Sequence, residues 1–170
     1  SIKLSANNNF AKDVDFPALN MDLREDDTWL LNLSHKINFK NSNFSSLSTS
    51  FYGSFVDHSM DNLTKDLNPR TVNAITLAKT KNYGGRSEAS FQFKNSSLFS
   101  GIDYKAEEAE GTRTREMLMG PKSGTTFFDN LWQDSKISKF SLFGEYHFAL
   151  QEVYFVASTR LEHNSAKSRE

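Results

Sequence analysis

The sequence contains no cysteine, which excludes a disulfide scaffold, a zinc ribbon, a cysteine-bound iron–sulfur cluster and a thiol nucleophile. Proline occurs three times only, at Pro17, Pro69 and Pro121. No apolar run approaches the ~18 residues that a membrane-spanning helix needs. Neither sign of charge is in excess: 20 Lys and Arg stand against 21 Asp and Glu, a formal net charge of −1. No global basic field therefore exists to hold nucleic acid or an anionic membrane surface. P-loop, G-x-S-x-G, H-E-x-x-H and G-x-G-x-x-G motifs are all missing. The 170 residues suit one domain or a piece of a larger one. With no signal peptide at the start, the chain is expected to be cytoplasmic or a fragment of a longer protein.

Against this polar background (mean hydropathy −0.58) stand 15 phenylalanines and an aromatic content of 13%. The apolar residues must therefore be sharply segregated, and their period is two. Trp29, Leu31, Leu33, His35, Ile37 and Phe39 share one parity, while Leu30, Asn32, Ser34, Lys36, Asn38 and Lys40 share the other. Such alternation marks strands with one apolar and one polar face. It recurs through Phe51/Gly53/Phe55, Ala89/Phe91/Phe93, Leu98/Ile102/Tyr104/Ala106, Phe140/Leu142/Gly144/Tyr146/Phe148 and Val153/Phe155/Ala157/Leu161. The pattern predicts an all-β protein with seven strands, at about 2–9, 28–40, 45–57, 83–95, 97–107, 136–149 and 152–164.

The joins between these strands alternate in length. Short polar turns fall at Asn41-Ser42-Asn43, at Asn95-Ser96-Ser97 and at 149–152; long joins run over about 9–27, 58–82 and 108–136. In an antiparallel up-and-down meander every second connection lies on the same edge, so one edge carries tight turns and the other long loops. Loops of that length are uncommon in compact soluble domains. They are ordinary in bacterial outer-membrane barrels, whose lipid-facing parity is apolar with aromatic girdles and whose inner parity is polar. Trp29, Tyr104, Tyr146 and Phe148 are candidates for such girdles. Seven strands do not close a bacterial barrel, which has an even count from eight upward. Both edges would be bare and in need of partners. The expected architecture is therefore a partial arc of a transmembrane barrel, belonging to a longer protein or pairing with its own copies.

Particular residues narrow the reading. The stretch Phe140-Ser-Leu-Phe-Gly-Glu-Tyr-His-Phe148, a short turn, then Val153 through Asn164 resembles the barrel hairpin of TonB-dependent outer-membrane receptors, in which one strand carries GxFxEY and the next ends in GxRxDHN. Ser158 stands where that family often has Gly, and Glu162 where it often has Asp. The N-terminal half, from Asp15 to Trp29, with Val56-Asp-His-Ser-Met-Asp-Asn62 and Gly84-Gly-Arg86, is similar to the copper-receptor branch. The resemblance implies that residues 1–170 are an early-to-middle segment of a 22-stranded barrel in the bacterial outer membrane. It further implies that a plug domain, absent here, fills the barrel, and that contact with the TonB complex runs through the missing N-terminal region. The partners so implied are a copper ion, the plug, TonB and outer-membrane lipid, with no nucleic acid.

His58-Ser59-Met60 lies where a strand gives way to a long loop. Two residues apart on an extended chain, both side chains point to one side. Thioether sulfur is a poor ligand for hard cations and a good one for Cu(I), and imidazole suits copper in either oxidation state. The family resemblance makes His58 and Met60 copper ligands, with Cys and Met from the plug completing the site. Copper is then the transported ligand, held incompletely by this segment alone. Asp57 and Asp61, on the other parity, are expected to cap the loop or face solvent. Met117 and Met119 form a second pair, read as loop packing under Phe127, Phe128 and Trp132 rather than as a soft-metal bait; Met21 is read likewise. Glu25-Asp26-Asp27 is read as a solvated loop. Glu145 and His147 share a face, but without a nucleophile nearby they are assigned to cross-sheet pairing with Arg160 and Glu162 rather than to catalysis.

Three functions follow. The first is a TonB-dependent copper receptor, not an enzyme. The second keeps the fold and changes the cargo to a siderophore or other metal chelate, bound by aromatic and Arg contacts in the loops. The third is a soluble lipocalin-like module, which requires a closed small barrel with Phe51, Phe91 and Phe140 buried in one core.

Overall fold

The computed structural model describes residues 1–40 and 42–168. Seven strands form one sheet: β1 (Ile2–Val14), β2 (Asp22–Asn38), β3 (Phe44–Asp61), β4 (Val72–Gln92), β5 (Ser96–Met117), β6 (Thr126–Leu150) and β7 (Val153–Lys167). Sheet order equals chain order, and each strand pairs antiparallel with the next. No helix occurs among the described residues. The meander, its strand count and its open edges are those expected from the sequence.

The joins correct one expectation. Short connections fall at 39–43, 93–95 and 151–152, closed by bonds such as Phe39 N to Ser45 O (2.9 Å) and Phe93 N to Ser96 O (2.8 Å). Asn41, the first residue of the proposed turn tripeptide, lies outside the described residues. At the other edge the loops span only 15–21, 62–71 and 118–125. Most of the sequence assigned to long loops is strand. Every strand outruns its alternating segment at this one end. The reason is chemical: in 108–116, Glu108, Glu110, Thr112, Thr114 and Glu116 alternate with Ala109, Gly111, Arg113 and Arg115. Neither parity is strongly apolar there, so the period-two signal fades while the backbone ladder continues.

Register aligns the faces across all seven strands. One row runs Leu4, Leu33, Phe51, Gly85, Tyr104, Phe140, His163; the next runs Ile2, His35, Thr49, Ser87, Ile102, Leu142, Leu161. This apolar face has nothing packed on it: Phe51 is 56% exposed and Phe140 49%. The opposite face carries Ser34, Ser50, Arg86, Asp103, Ser141 and Glu162 in one register row. Buried hydrophobic residues are few and mostly small, namely Leu23, Ala74, Ala78 and Ala106 among the described residues. A single-layer sheet with exposed phenylalanines and unpaired edge strands is the opposite of a lipocalin-like barrel, and the soluble-module reading is overturned.

Aromatic rings mark both margins of the apolar face, with Phe51, Tyr104 and Phe140 in a row between them. Near the short turns Phe39 stacks on Phe44 (centroids 4.5 Å apart), Phe44 meets Phe91 (5.2 Å), and Phe148 stacks on Phe155 (4.9 Å). Toward the other end lie Trp29, its register partner Phe55, and Tyr83. Ten residues separate Trp29 from Phe39, which at ~3.3 Å per residue and ~45° tilt is a height of about 23 Å. Immediately beyond the upper rings the same face turns charged, with Lys136 donating to Glu108 (2.7 Å) and to the Tyr83 hydroxyl (3.1 Å).

The glycine pair Gly84–Gly85 admits one ring on each face. A Cβ on Gly84 would stand 2.7 Å from the Tyr52 hydroxyl and 2.3 Å from the Tyr104 carbonyl oxygen; one on Gly85 would stand 2.8 Å from the Phe51 ring. Tyr52 and Phe51 are the direct cross-strand partners of these glycines, so each ring fills the space that a side chain would take. Gly84→Val is expected to destabilise the folded sheet by about 1–3 kcal/mol. The check is the temperature at which the protein loses its β-sheet signal in circular dichroism. An unchanged temperature would refute the ring-over-glycine account.

Candidate metal centre

His58 and Met60 lie on β3, on the parity of Ser50, Tyr52 and Ser54, and so on the polar face. In register, His58 stands between Asp26 of β2 and Ala78 of β4, and Met60 between Leu23 and Thr76. Both are half-buried. Beside them the wall is low: Ala78 is followed by Gly111. A Cβ on Gly111 would lie 2.9 Å from the Trp132 ring. Irregular pairing around Gly111 on β5 sets Trp132 directly opposite it, so an indole closes this row.

Asp26, read from the sequence as a solvated loop residue, is instead inside β2. Its Oδ2 is 2.9 Å from His58 Nδ1, and its Oδ1 accepts a 2.8 Å bond from the Thr28 hydroxyl. The hydrogen bond with His58 is the main influence holding the Asp26 carboxyl below the usual carboxylate range; partial burial opposes it and Thr28 assists. The carboxylate therefore stays ionised at neutral pH. Sequence reasoning missed this partner because Asp26 and His58 are far apart in the chain and meet only through register.

The residues flanking the pair build its support. Asp61 accepts from the backbone N–H of Leu63 (2.9 Å) and from Arg24 Nε (2.9 Å), as expected of a loop cap. Asp57 is exposed, 3.4 Å from Lys79 Nζ. Asn62, 4% exposed, copies a rung of the ladder: its Nδ2 donates to Val72 O (2.8 Å) and its Oδ1 accepts from Ala74 N (2.7 Å). Arg24 sits at an irregularity between Leu23 and Glu25, a bulge of the kind that re-aims side chains near functional sites. Next to it, buried Asp22 accepts from Lys65 Nζ (2.6 Å) and from Phe16 N (2.8 Å), tying the β1–β2 loop to the β3–β4 loop.

Other candidates resolve differently. Met117 closes β5 opposite Val72, and Met119 is 53% exposed in the loop beyond, so Met119 is not packed under aromatic neighbours as expected. His147 is engaged at both ring nitrogens, by Glu145 at Nε2 and by the Tyr154 hydroxyl at Nδ1 (2.7 Å). Arg160 does not pair with that couple. It crosses β6 above Ser141 to hold Asp103 of β5 through two 2.9 Å bonds, because Ser141 between them is small enough to reach over. Among the described residues no cluster of three or more His, Cys, Asp or Glu could hold a metal ion. His58 and Met60 supply one nitrogen and one thioether sulfur, a donor pair that fits a soft cation and is too small to enclose one.

No protein-family description and no curated protein matches this sequence. Among solved structures the chain is similar to the copper transporter OprC, with a TM-score of 0.71 and 17% identity over 88% of this chain. The chain spans 24% of that protein's length. What the two share is a fold, an antiparallel meander that forms an arc of a larger barrel, in line with the resemblance read from the sequence.

The loop tie gives a pH test. The Lys65 hydrogen bond lowers the Asp22 carboxyl, with the Phe16 N–H adding to it and burial opposing. A depressed carboxylate contributes stability above its ordinary value of about 4 and loses it as pH falls through the lower folded value. Hydrogen exchange in 62–71, corrected for intrinsic rates, is expected to be flat from pH 8 to 5 and to rise below about 4. Lys65→Met should raise it at every pH; a rise centred near neutrality would contradict this assignment.

Proposed function

We propose that the chain is a barrel segment of a TonB-dependent copper receptor in the bacterial outer membrane. The apolar face meets lipid between its two aromatic margins, whose spacing matches the ~25 Å apolar band of such barrels. Charged residues such as Lys136 and Glu108 begin where the headgroups do. The polar face lines the passage, and strands of up to 25 residues overshoot the ~9–11 needed to cross the bilayer, carrying the wall outward toward the loops.

The observation that carries the copper reading is the placement of His58 and Met60. They sit on the polar face at the loop-bearing end of β3, above the span that meets lipid, where an incoming ion first reaches the wall. A copper ion would be captured by the imidazole and thioether, with further donors from the plug domain. Plug rearrangement driven by the TonB complex would then release it to the periplasm. The fold likeness to a copper transporter supports the same reading.

Met60→Ala in the full-length protein is expected to reduce copper uptake by cells about tenfold or more, and Met60→Ala with His58→Gln to abolish bound copper in the purified protein. Uptake and occupancy equal to wild type in both variants would reject the copper reading and favour a receptor for a siderophore or other chelate.

A further inference from the structure

We propose that Asp26 is the positioning residue of the copper pair, fixing which nitrogen of His58 is offered to the ion. The proposal rests on the copper reading and adds to it a residue from a neighbouring strand. An ionised carboxylate accepts hydrogen bonds and cannot donate them. With Asp26 Oδ2 at 2.9 Å, His58 Nδ1 is placed to donate to it, which leaves Nε2 as the nitrogen to offer a lone pair to the ion. The ring is then held through Nδ1 by a residue of β2.

Three features make this a built arrangement. Thr28 occupies the other carboxylate oxygen at 2.8 Å, so Asp26 cannot rotate freely away from the imidazole. Thr28, Asp26 and His58 share the polar face, and Asp26 and His58 are direct partners within an unbroken run of ladder pairs from Glu25 to Asn38. The bulge at Arg24 lies just outside that run, so the irregular chain at the loop edge does not disturb it. The neighbours on the other side, Ala78 and Gly111, offer no side-chain acceptor that would compete for the ring. A ligand imidazole whose second nitrogen is bonded to a carboxylate is both oriented and made more basic, and loss of such a partner commonly costs 10–100-fold in metal affinity.

The test compares Asp26→Asn, which keeps an acceptor oxygen, with Asp26→Leu, which removes it, in the full-length protein purified in detergent and checked for its compact band. Copper(I) affinity is read by competition with a chromogenic chelator. The His58 tautomer is read without metal from imidazole ¹⁵N shifts, its signal identified by its loss in His58→Gln. Support is a protonated Nδ1 in wild type and Asp26→Asn, its loss in Asp26→Leu, and a 10–100-fold weaker copper(I) affinity in Asp26→Leu alone. A protonated Nε2 in wild type overturns the proposal, as does wild-type affinity in Asp26→Leu where His58→Gln binds no copper, or equal loss in both Asp26 variants. Should His58→Gln bind copper normally, the copper reading falls by itself, while the metal-free tautomer still decides whether Asp26 sets the ring.

Discussion

Everything in this structure depends on the hydrogen-bonded ladder between neighbouring antiparallel strands. In most domains a sheet is held in place by a second layer packed on its apolar face. Here there is none, and the buried hydrophobic residues among the described positions are a leucine and three alanines. The ladder alone fixes which residues stand side by side. It sorts the side chains into two faces, because a strand alternates and each register pair shares a side. An apolar face of exposed Leu, Phe and Tyr cannot remain in water at this extent. The same ladder that makes the sheet thus demands an apolar medium on one side and tolerates water on the other.

The edges raise the second demand. β1 and β7 each have one neighbour and present an unpaired row of backbone groups. Under the outer-membrane reading such groups would lie in hydrocarbon with no water to turn to, and closure is the way a sheet satisfies them. Contacts on both faces show a sheet organised beyond single strand pairs. Arg160 reaches across a whole strand to Asp103, and the rings of Tyr52 and Phe51 lock over the paired glycines of β4. These contacts stiffen the wall laterally, as an arc needs when its ends must meet further strands.

Much of this was legible in the sequence where the two faces differ in chemistry. Trp29-to-Phe39 and Phe140-to-Phe148 announced strands because water and an apolar medium ask for opposite residues. Past Asp57 on β3, or past Glu107 on β5, that contrast weakens, and strand reads as loop although the backbone pairing continues. The proposal of His58 and Met60 as a soft-metal pair came from residue type, spacing and the family resemblance together. Asp26 was not legible in this way, although the information was present in principle. Asn38 stands opposite Ser46 beside the short turn; stepping outward one residue on each strand from there brings Asp26 opposite His58. A tight turn fixes register, so the partner of a residue such as His58 in the second strand can be counted from the turn in the first. What counting could not give is the bulge at Arg24, which ends the regular run just beyond the pair and turns Arg24 toward Asp61.

The division of labour around His58 follows from where rigidity is available. Under the copper reading, a wall that offered a complete set of ligands would hold the ion too well to pass it on. A wall with one nitrogen and one thioether sulfur needs donors from a second, movable body, and withdrawing those donors opens the site. For such a half-site to work, its own two ligands must not wander when the others leave. β3 supplies that constancy in three ways. The ladder fixes the backbone of His58 and Met60 between β2 and β4. Asn62 extends the ladder past the last strand residue with side-chain bonds to Val72 and Ala74. The Asp22–Lys65 tie joins the two loops immediately above. The stiffness lies at the end of the strand, where strands ordinarily fray, and under the copper reading that is the end at which an arriving ion would first meet the protein.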